Sequence, residues 1–185
     1  MTSPGQDLKN LRDLKTSKYP SNEQRTAEWT EKFDRGRILR SLITAPAPTI
    51  FDVGAYTGKS IIDFKGIFPD ARIISFEPNP NAIDALRNVA RSYSSVEIIE
   101  CAVTNFSGKV KFYQQGINPG LSGLIPRNIE SRDSIDLMRL REGLGGGDKY
   151  HKEVNKAELE VKAVTLEEFS NSRQLTNVDF IKIDV

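Results

Sequence analysis

The sequence predicts an α/β fold, with an open and mostly parallel sheet that carries helices on both faces. Three observations support this prediction. Short apolar runs alternate with helical stretches, a glycine-rich turn follows the first apolar run, and an acidic residue with two prolines follows the second. Strands that alternate with helices in this way are typical of parallel sheets built from strand-helix-strand units.

Composition indicates a soluble domain with a small partner. The 185 residues suffice for a domain with its own core, and 38% are hydrophobic against 28% charged. The 26 basic and 25 acidic side chains give a net charge of +1, which provides no attraction to nucleic acid or to an anionic membrane. We find neither an apolar signal-peptide core nor a run long enough to span a membrane, and therefore expect a cytoplasmic protein.

Two regions are predicted along the chain. Residues 1–48 form an N-terminal arm and an amphipathic helix, and residues 49–185 form the ligand-binding domain. The helix is predicted over Asn22–Ile43, because apolar side chains recur there at helical spacing. The prolines of Ala45–Pro48 end it, and we expect its apolar face to pack on the domain.

The first half of the domain contains three predicted strands separated by two helices. Each strand is a short apolar run, and turn residues separate it from the helix that follows. The strands are predicted over Thr49–Val53, Arg72–Phe76 and Val96–Val103, and the helices over Lys59–Phe68 and Asn81–Arg91.

The second half of the domain is less regular. A short alternating strand over Lys109–Tyr113 is predicted to lie outside the main sheet. Residues 114–157 form a glycine-rich connection of a length typical of functional loops, with a short helix near Ser134–Arg141. Glu158–Val164 alternates charged and apolar residues, which indicates a half-exposed strand.

A short helix and a final strand complete the predicted elements. Thr165 is the predicted N-cap of the helix, with Glu168 as its capping-box partner. Val178–Val185 is an apolar strand of central character, and a parallel sheet that stops there leaves backbone donors and acceptors unpaired. We therefore expect a sheet that lacks its last strands, unless a homo-oligomer covers that edge.

The glycine-rich turn after the first strand is the strongest indication of a ligand. Glycines let the backbone turn tightly and approach a ligand closely, and the helix that follows presents free N–H groups. The spacing is D-x-G-x-x-x-G, and the residues predicted to bind a cofactor here are Asp52, Gly54, Ala55, Tyr56, Thr57 and Gly58.

Two phosphate-binding loops use similar glycines, and spacing separates them from this one. The dinucleotide fingerprint G-x-G-x-x-G needs a glycine where Tyr56 stands. The loop G-x-x-x-x-G-K-[ST] matches Gly58–Ser60 but needs a glycine where Val53 stands. Asp52 repels a phosphate but suits the sulfonium or the amino group of S-adenosyl-L-methionine, so this cofactor is favoured.

The second and third strands end on residues placed to complete such a site. A carboxylate at Glu77 can accept both hydroxyls of a ribose, and Pro78 and Asn79 accompany it. Cys101 and Ala102 are placed to flank an adenine, because ligands lie at the carboxyl ends of parallel strands. The alternatives are a solvated helix-entry residue for Glu77 and a small core side chain for Cys101.

These segments, in this order, resemble the FkbM family of methyltransferases. The resemblance implies a Rossmann-like class I methyltransferase sheet, S-adenosylmethionine binding and O-methylation of a hydroxyl on a sugar or secondary metabolite. Two departures stand out: the family usually has asparagine where Tyr56 stands, and its last segment continues with Glu-Gly, absent here. The matching segments are Ile50–Gly58, Ile74–Pro80, Ala102–Thr104 with Gly108, Val164–Phe169 and Val178–Val185.

Asp184 is the catalytic candidate that the resemblance implies. In the family fold it lies at the carboxyl edge of the fourth strand, beside the methyl group. There it can orient the acceptor hydroxyl, act as a base or help hold a divalent cation. A strand-end carboxylate without chemistry is the alternative. Lys182 shares a strand face with Asp184, so a structural ion pair between them is expected.

The expected activity is therefore methyl transfer to a small-molecule acceptor, a carbohydrate or natural product. The alternative is a non-catalytic remnant or binding module that keeps only the cofactor-binding half of the fold. The single cysteine excludes an internal disulfide and a cysteine-cluster metal site, and no resident metal is predicted. His151 and Ser122, in the glycine-rich connection, are weaker candidates for contacts with cofactor or acceptor.

Overall fold

The computed structural model describes Gln24, Thr26, Ala27 and residues 34–116, 119–128 and 156–185. The chain divides into two compact units, Met1–Leu42 and Ile43–Val185. The two units meet between Leu42 and Ile43, whereas the sequence predicts a boundary after Pro48. Pro48 belongs to the second unit because its carbonyl accepts the Arg72 N–H at 2.9 Å.

The described helix of the first unit, α1, comprises Arg35–Leu42. Asp34 precedes it in a non-helical conformation, and its side chain accepts the Arg37 N–H at 2.9 Å. An aspartate that caps free N–H groups in this way starts a helix. The prediction of one continuous helix over Asn22–Ile43 is therefore wrong at Asp34, whereas its packing on the domain stays a prediction.

The described residues of the second unit form strands and helices in alternation. The strands are β1 Thr49–Val53, β2 Arg72–Phe76, β3 Val96–Ile99, β4 Ala102–Val103, β5 Gly108–Gln114, β6 Ala157–Val164 and β7 Phe180–Ile183. The helices are α2 Lys59–Ile67, α3 Pro80–Ala90 and α4 Leu166–Ser172.

The main sheet consists of parallel strands in the order β3-β2-β1-β7, and helices cover both of its faces. On one face, Phe169 of α4 packs edge-to-face on Phe51 and Phe76, with ring centroids 6.0 and 5.0 Å apart. On the other face, Phe64 of α2 packs on Phe180 at 5.7 Å. Burial on both faces explains why β1 and β2 are continuous apolar runs. The predicted α/β fold is confirmed.

A second sheet, in the order β4-β6-β5, contains the main difference from prediction. The sequence predicts one strand over Val96–Val103, but β3 pairs with β2 whereas β4 pairs with β6. The chain bends at Cys101, whose N–H donates to the Ile99 carbonyl at 2.9 Å. A continuous apolar run does not reveal that its halves have different partners. The placement of β5 outside the main sheet is confirmed.

The N-cap of α4 is confirmed, but the reciprocal capping-box bond from the Thr165 N–H to Glu168 is replaced by a bond to Ser107. The Glu168 N–H donates to Thr165 Oγ1 at 3.0 Å. The Glu168 carboxylate accepts the hydroxyl of Ser107, and Ser107 Oγ accepts the Thr165 N–H at 3.1 Å. Ser107 therefore ties the turn before β5 to the start of α4.

Within the described main sheet, β7 lies at the edge beside β1. Its Ile181 and Ile183 side chains are exposed. The homo-oligomer expected to cover this edge stays a prediction. In the described part of the chain, no helix combines the length and apolar character needed to cross a membrane.

Part of the predicted connection over residues 114–157 is described. It contains a 3-10 turn at Pro119–Leu121 and a bridge between Tyr113 and Gly123. The helix predicted near Ser134–Arg141 and the candidate His151 lie outside the described residues.

Candidate functional site

Residues 54–58, the glycine loop, leave the carboxyl end of β1 and enter α2. Gly54 and Gly58 have φ values of +77° and +90°, a left-handed conformation that favours glycine. A Cβ on Gly54 would lie 2.0 Å from the Asp184 carbonyl oxygen. A Cβ on Gly58 would lie 3.1 Å from atoms of Leu86 and Val89. The two glycines thus allow close contact with the end of β7 and with α3.

Backbone hydrogen bonds hold the glycine loop against the end of β2. The N–H groups of Gly54 and Ala55 both donate to the Phe76 carbonyl, at 3.0 and 3.2 Å. Ala55 is buried, whereas Thr57 is exposed. Gly58, the N-cap of α2, makes no side-chain cap bond, and its carbonyl accepts the Ile61 N–H at 3.1 Å.

Tyr56 occupies an unusual backbone conformation at the tip of the loop. Its φ is 48°, which is rare for residues that carry a Cβ. Its side chain is half-exposed, and its N–H donates to Glu77 Oε2 at 2.7 Å. Asparagine adopts this conformation more readily than tyrosine, which gives a physical reason for the asparagine usual at this position in the family that the sequence resembles.

Glu77 is buried directly beside the glycine loop. Its Oε2 accepts the Tyr56 N–H and its Oε1 accepts the Asn79 N–H, both at 2.7 Å. Only 5% of the residue is exposed, so the alternative of a solvated helix-entry residue is wrong. Glu77 joins the loop to the start of α3. Each carboxylate oxygen keeps a further lone pair that could accept a ribose hydroxyl. The bonds to the ribose hydroxyls therefore stay a prediction.

The surroundings of Glu77 raise the pKa of its carboxyl. Burial raises the pKa of the Glu77 carboxyl above its ordinary value, and the nearby Asp52 carboxylate adds to this increase. The Asn79 and Tyr56 N–H groups and the Lys182 ammonium lower the pKa in part. The ionised form therefore depends on these donors and on Lys182.

Asn79 connects the end of β2 to the described part of the glycine-rich connection. Its Oδ1 accepts a hydrogen bond from the Asn81 N–H, which makes Asn79 the N-cap of α3. The same oxygen accepts a hydrogen bond from Gln114 Nε2, and both bonds are 3.1 Å long. Its Nδ2 donates to the Pro119 carbonyl at 3.4 Å. Asn79 is buried, and the preceding Pro78 is half-buried. This network brings the second sheet and the 3-10 turn to the same edge as Glu77.

Asp52 is completely buried, and its carboxylate contacts the protein itself. Its Oδ1 lies 3.1 Å from Lys182 Nζ, and its Oδ2 accepts the Ser60 and Ser75 hydroxyls at 2.5 and 3.5 Å. Asp52 is completely buried, and the cation beside it in the described structure is Lys182. The contact of Asp52 with the cofactor stays a prediction.

Lys182 contacts three groups around the glycine loop. Besides Asp52, its Nζ donates to the Gly54 carbonyl at 2.9 Å and lies 3.6 Å from Asp184 Oδ2. The expected ion pair with Asp184 is confirmed. The Asp184 side chain is 82% exposed, while its N–H donates to the Val53 carbonyl at 3.0 Å. Asp184 therefore presents a carboxylate to solvent from a fixed backbone.

Cys101 and Ala102 are buried at the bend between the two sheets. Burial raises the pKa of the Cys101 thiol to about 11, so the thiol is protonated at neutral pH. Cys101 is thus a small core side chain, as in the alternative interpretation, and the contact of either residue with an adenine stays a prediction. The cluster around Cys101 contains Phe51, Val53, Ile74, Phe76 and Phe169.

The glycine loop, the end of β2 and the end of β7 share one edge of the main sheet. The described residues bring three carboxylates to this edge, those of Asp52, Glu77 and Asp184. The Lys182 ammonium pairs with Asp52 and Asp184 and lowers the pKa of Glu77. Such a balance favours a ligand with positive charge over a phosphate. Ser122 lies near the same edge, where its Oγ accepts the Gln115 N–H at 3.0 Å.

The fold is that of an α/β methyltransferase domain. Residues 52–185 match the family model described as the methyltransferase FkbM domain, and the chain belongs to that family.

The chain is 28% identical over 147 residues to methyltransferase sdnD of Sordaria araneosa, covering 75% of this chain and 56% of that protein. It is 28% identical over 109 residues to 2-O-methyltransferase NoeI of Sinorhizobium fredii, covering 55% and 45%. The chain thus spans about half the length of the curated relatives it matches. The crystal structure of methyltransferase FkbM from Methylobacillus flagellatus KT aligns with 53% of this chain and 31% of that chain, with a TM-score of 0.33 and 18% identity.

Proposed function

We propose that the protein transfers the methyl group of S-adenosyl-L-methionine to a hydroxyl oxygen of a sugar or secondary metabolite. Membership of the family supports methyl transfer, and the name of the relative NoeI, a 2-O-methyltransferase, supports an oxygen acceptor. The observation that carries the proposal is the arrangement of Glu77, the glycine loop and Asp184 at one edge of the sheet.

The chemistry of this edge fits the cofactor. Glu77 holds the loop with one lone pair of each oxygen and has others for the two ribose hydroxyls. Gly54 and Gly58 let the loop pack closely against the end of β7 and against α3, beside Glu77. The net negative charge of the edge favours a sulfonium. When bound, the cofactor supplies a methyl group that the sulfonium already activates.

Asp184 is the group placed to act on the acceptor. Its carboxylate is exposed beside the glycine loop, while its backbone is fixed by the bond to Val53. A hydroxyl bound to this carboxylate is oriented, and the carboxylate can take up its proton as the oxygen is methylated. The main contribution of the protein is positioning, because orienting two reactants lowers the barrier without further chemistry.

A small-molecule acceptor, a cytoplasmic location and a homo-oligomer that covers the edge of β7 are part of the same proposal. The net charge of +1 supports a partner other than nucleic acid or an anionic membrane. The exposed Ile181 and Ile183 support the pairing of β7 with another strand.

The experiment that tests this function is methyl transfer from methyl-labelled S-adenosylmethionine to a panel of glycosides and polyhydroxylated natural products. We expect label on an acceptor oxygen, and a rate about 100-fold lower in Asp184→Asn. The exposed Lys111→Met variant is the matched control and should keep the wild-type rate. Chelation with EDTA tests whether Asp184 acts through a divalent cation. Cofactor binding without transfer to any hydroxyl would favour the binding module instead.

A further inference from the structure

We infer that Lys182 is a positioning residue that couples the glycine loop to Asp184. The inference rests on the proposed function, because it assigns Lys182 a role in the same cofactor and acceptor site. It concerns the only described ammonium that contacts both the loop and the candidate catalytic carboxylate.

The register of the sheet places Lys182 directly beside Asp52. The two residues are partners in the parallel pairing of β1 and β7, and their side chains share one face. From this position the ammonium reaches Asp52 Oδ1 at 3.1 Å, the Gly54 carbonyl at 2.9 Å and Asp184 Oδ2 at 3.6 Å. The contact with the Gly54 carbonyl is a hydrogen bond, and the contacts with Asp52 and Asp184 are ion pairs.

The contacts of Lys182 extend from the buried interior to the exposed surface. Asp52 is fully buried, the Lys182 side chain is 18% exposed, and the Asp184 side chain is 82% exposed. The contact with Asp52 alone would be enough for Lys182 to neutralise the charge of that buried carboxylate. The other two hold the first peptide of the glycine loop and limit the rotamers of an exposed carboxylate, whose ordering otherwise opposes binding.

The loop and the end of β7 are also in direct contact. The position of a Gly54 Cβ would be 2.0 Å from the Asp184 carbonyl oxygen, so no side chain fits between the two segments. Because Lys182 holds the Gly54 carbonyl and pairs with Asp184, loss of its ammonium removes one contact from each of the two segments. We therefore expect cofactor affinity and acceptor positioning to change in one variant.

Lys182 also affects the protonation of Glu77. The charged groups that face Glu77 are Asp52, which raises its pKa, and Lys182, which lowers it. Removal of Lys182 therefore raises the pKa of Glu77, and removal of Asp52 lowers it. These opposite directions provide a readout that simple destabilisation does not give, since destabilisation by either variant would weaken binding in the same direction at every pH.

The test uses four forms of the chain: wild type, Lys182→Met, Asp52→Asn and the double variant. Removing one member of a buried ion pair leaves the other charge unpaired, whereas removing both restores much of the stability. We expect the double variant to unfold near the wild-type denaturant midpoint. It should nevertheless bind S-adenosylhomocysteine about tenfold more weakly, as expected for a lost bond to a charged group.

The same titrations are repeated across the acid range, with far-UV circular dichroism to confirm that each protein is folded. The pH at which binding is half lost should move up in Lys182→Met and down in Asp52→Asn. A double variant that regains stability and binds S-adenosylhomocysteine with wild-type affinity would overturn the role of Lys182. So would a pH of half-lost binding that moves in the same direction in both single variants. Absence of binding by folded wild type would instead contradict the proposed function.

Discussion

Lys182 Nζ lies 3.1 Å from Asp52 Oδ1, and this ion pair joins β7 to β1 below the glycine loop. Asp52 is completely buried, and its other oxygen accepts the hydroxyls of Ser60 and Ser75. A buried charge with these partners is sensitive to the loss of any one of them.

Replacing Asp52 by asparagine should lower the free energy of unfolding by about 3 kcal/mol, because it leaves the Lys182 ammonium without its buried partner. Urea unfolding followed by circular dichroism measures the change. The control is Glu158→Gln, which breaks the exposed cross-strand pair with Lys111 and should leave the unfolding midpoint nearly unchanged. Equal effects of the two substitutions would contradict the structural importance of the buried pair.

Gly54→Ala should disrupt the glycine loop. The added Cβ meets the Asp184 carbonyl oxygen at 2.0 Å, and the φ of +77° is unfavourable for alanine. We expect a loss of at least about 2 kcal/mol in the free energy of unfolding, with loss of cofactor binding.

The matched control is Gly66→Ala in α2, where an added Cβ meets nothing within 4 Å. Alanine is the better helix former, so this variant should gain about 1 kcal/mol. A Gly54→Ala protein as stable as wild type would show that the loop and the end of β7 do not approach each other this closely.

Tyr56→Asn should stabilise the protein by about 1 kcal/mol, because asparagine tolerates the left-handed backbone that tyrosine adopts here at φ 48°. The half-exposed tyrosine ring limits what the substitution removes. Gln174→Asn is the control outside the loop, at a φ of 52°, and a similar gain is expected there. A less stable Tyr56→Asn protein would mean that ring contacts outweigh the backbone strain.

Glu77 should make stability depend on pH with a defined sign. Burial raises the pKa of this carboxyl in the folded protein, whereas the pKa of an unfolded glutamate is about 4.3. Between these two values the folded state binds more protons than the unfolded state. The contribution of Glu77 to stability is therefore present below the unfolded pKa and declines as pH rises through the folded pKa.

Glu77→Gln removes this titration. The free energy of unfolding of wild type minus that of the variant should fall as pH increases from about 4 to about 7. Denaturant titrations of both proteins at several pH values measure this difference. A difference that is constant or increases over the range would contradict a raised pKa at Glu77.

The strands and helices around the glycine loop could be predicted because their signals are local. Thr49–Val53 and Arg72–Phe76 are short apolar runs, and their predicted bounds agree with β1 and β2. The ion pair of Lys182 and Asp184 could also be predicted, since residues two apart on a strand share a face.

Other features depend on pairing between distant segments, which a single sequence does not reveal. Val96–Val103 divides between two sheets because its halves meet β2 and β6. The cation that meets Asp52 is Lys182, which comes beside it only through the pairing of β1 with β7. The helical spacing of apolar residues over Asn22–Ile43 did not show that α1 begins after Asp34. The signal for this start was Asp34 itself, because an aspartate can cap the N–H three residues later, here that of Arg37.

Calorimetric titration of the chain with S-adenosylhomocysteine, in parallel with NAD and ATP, tests the cofactor site most directly. We predict saturable binding of S-adenosylhomocysteine only, weakened about tenfold or more in Glu77→Gln because a charged acceptor for the ribose hydroxyls is lost. Binding of NAD or ATP in its place, or no binding of S-adenosylhomocysteine by the folded protein, would contradict a methyl-donor site at the glycine loop.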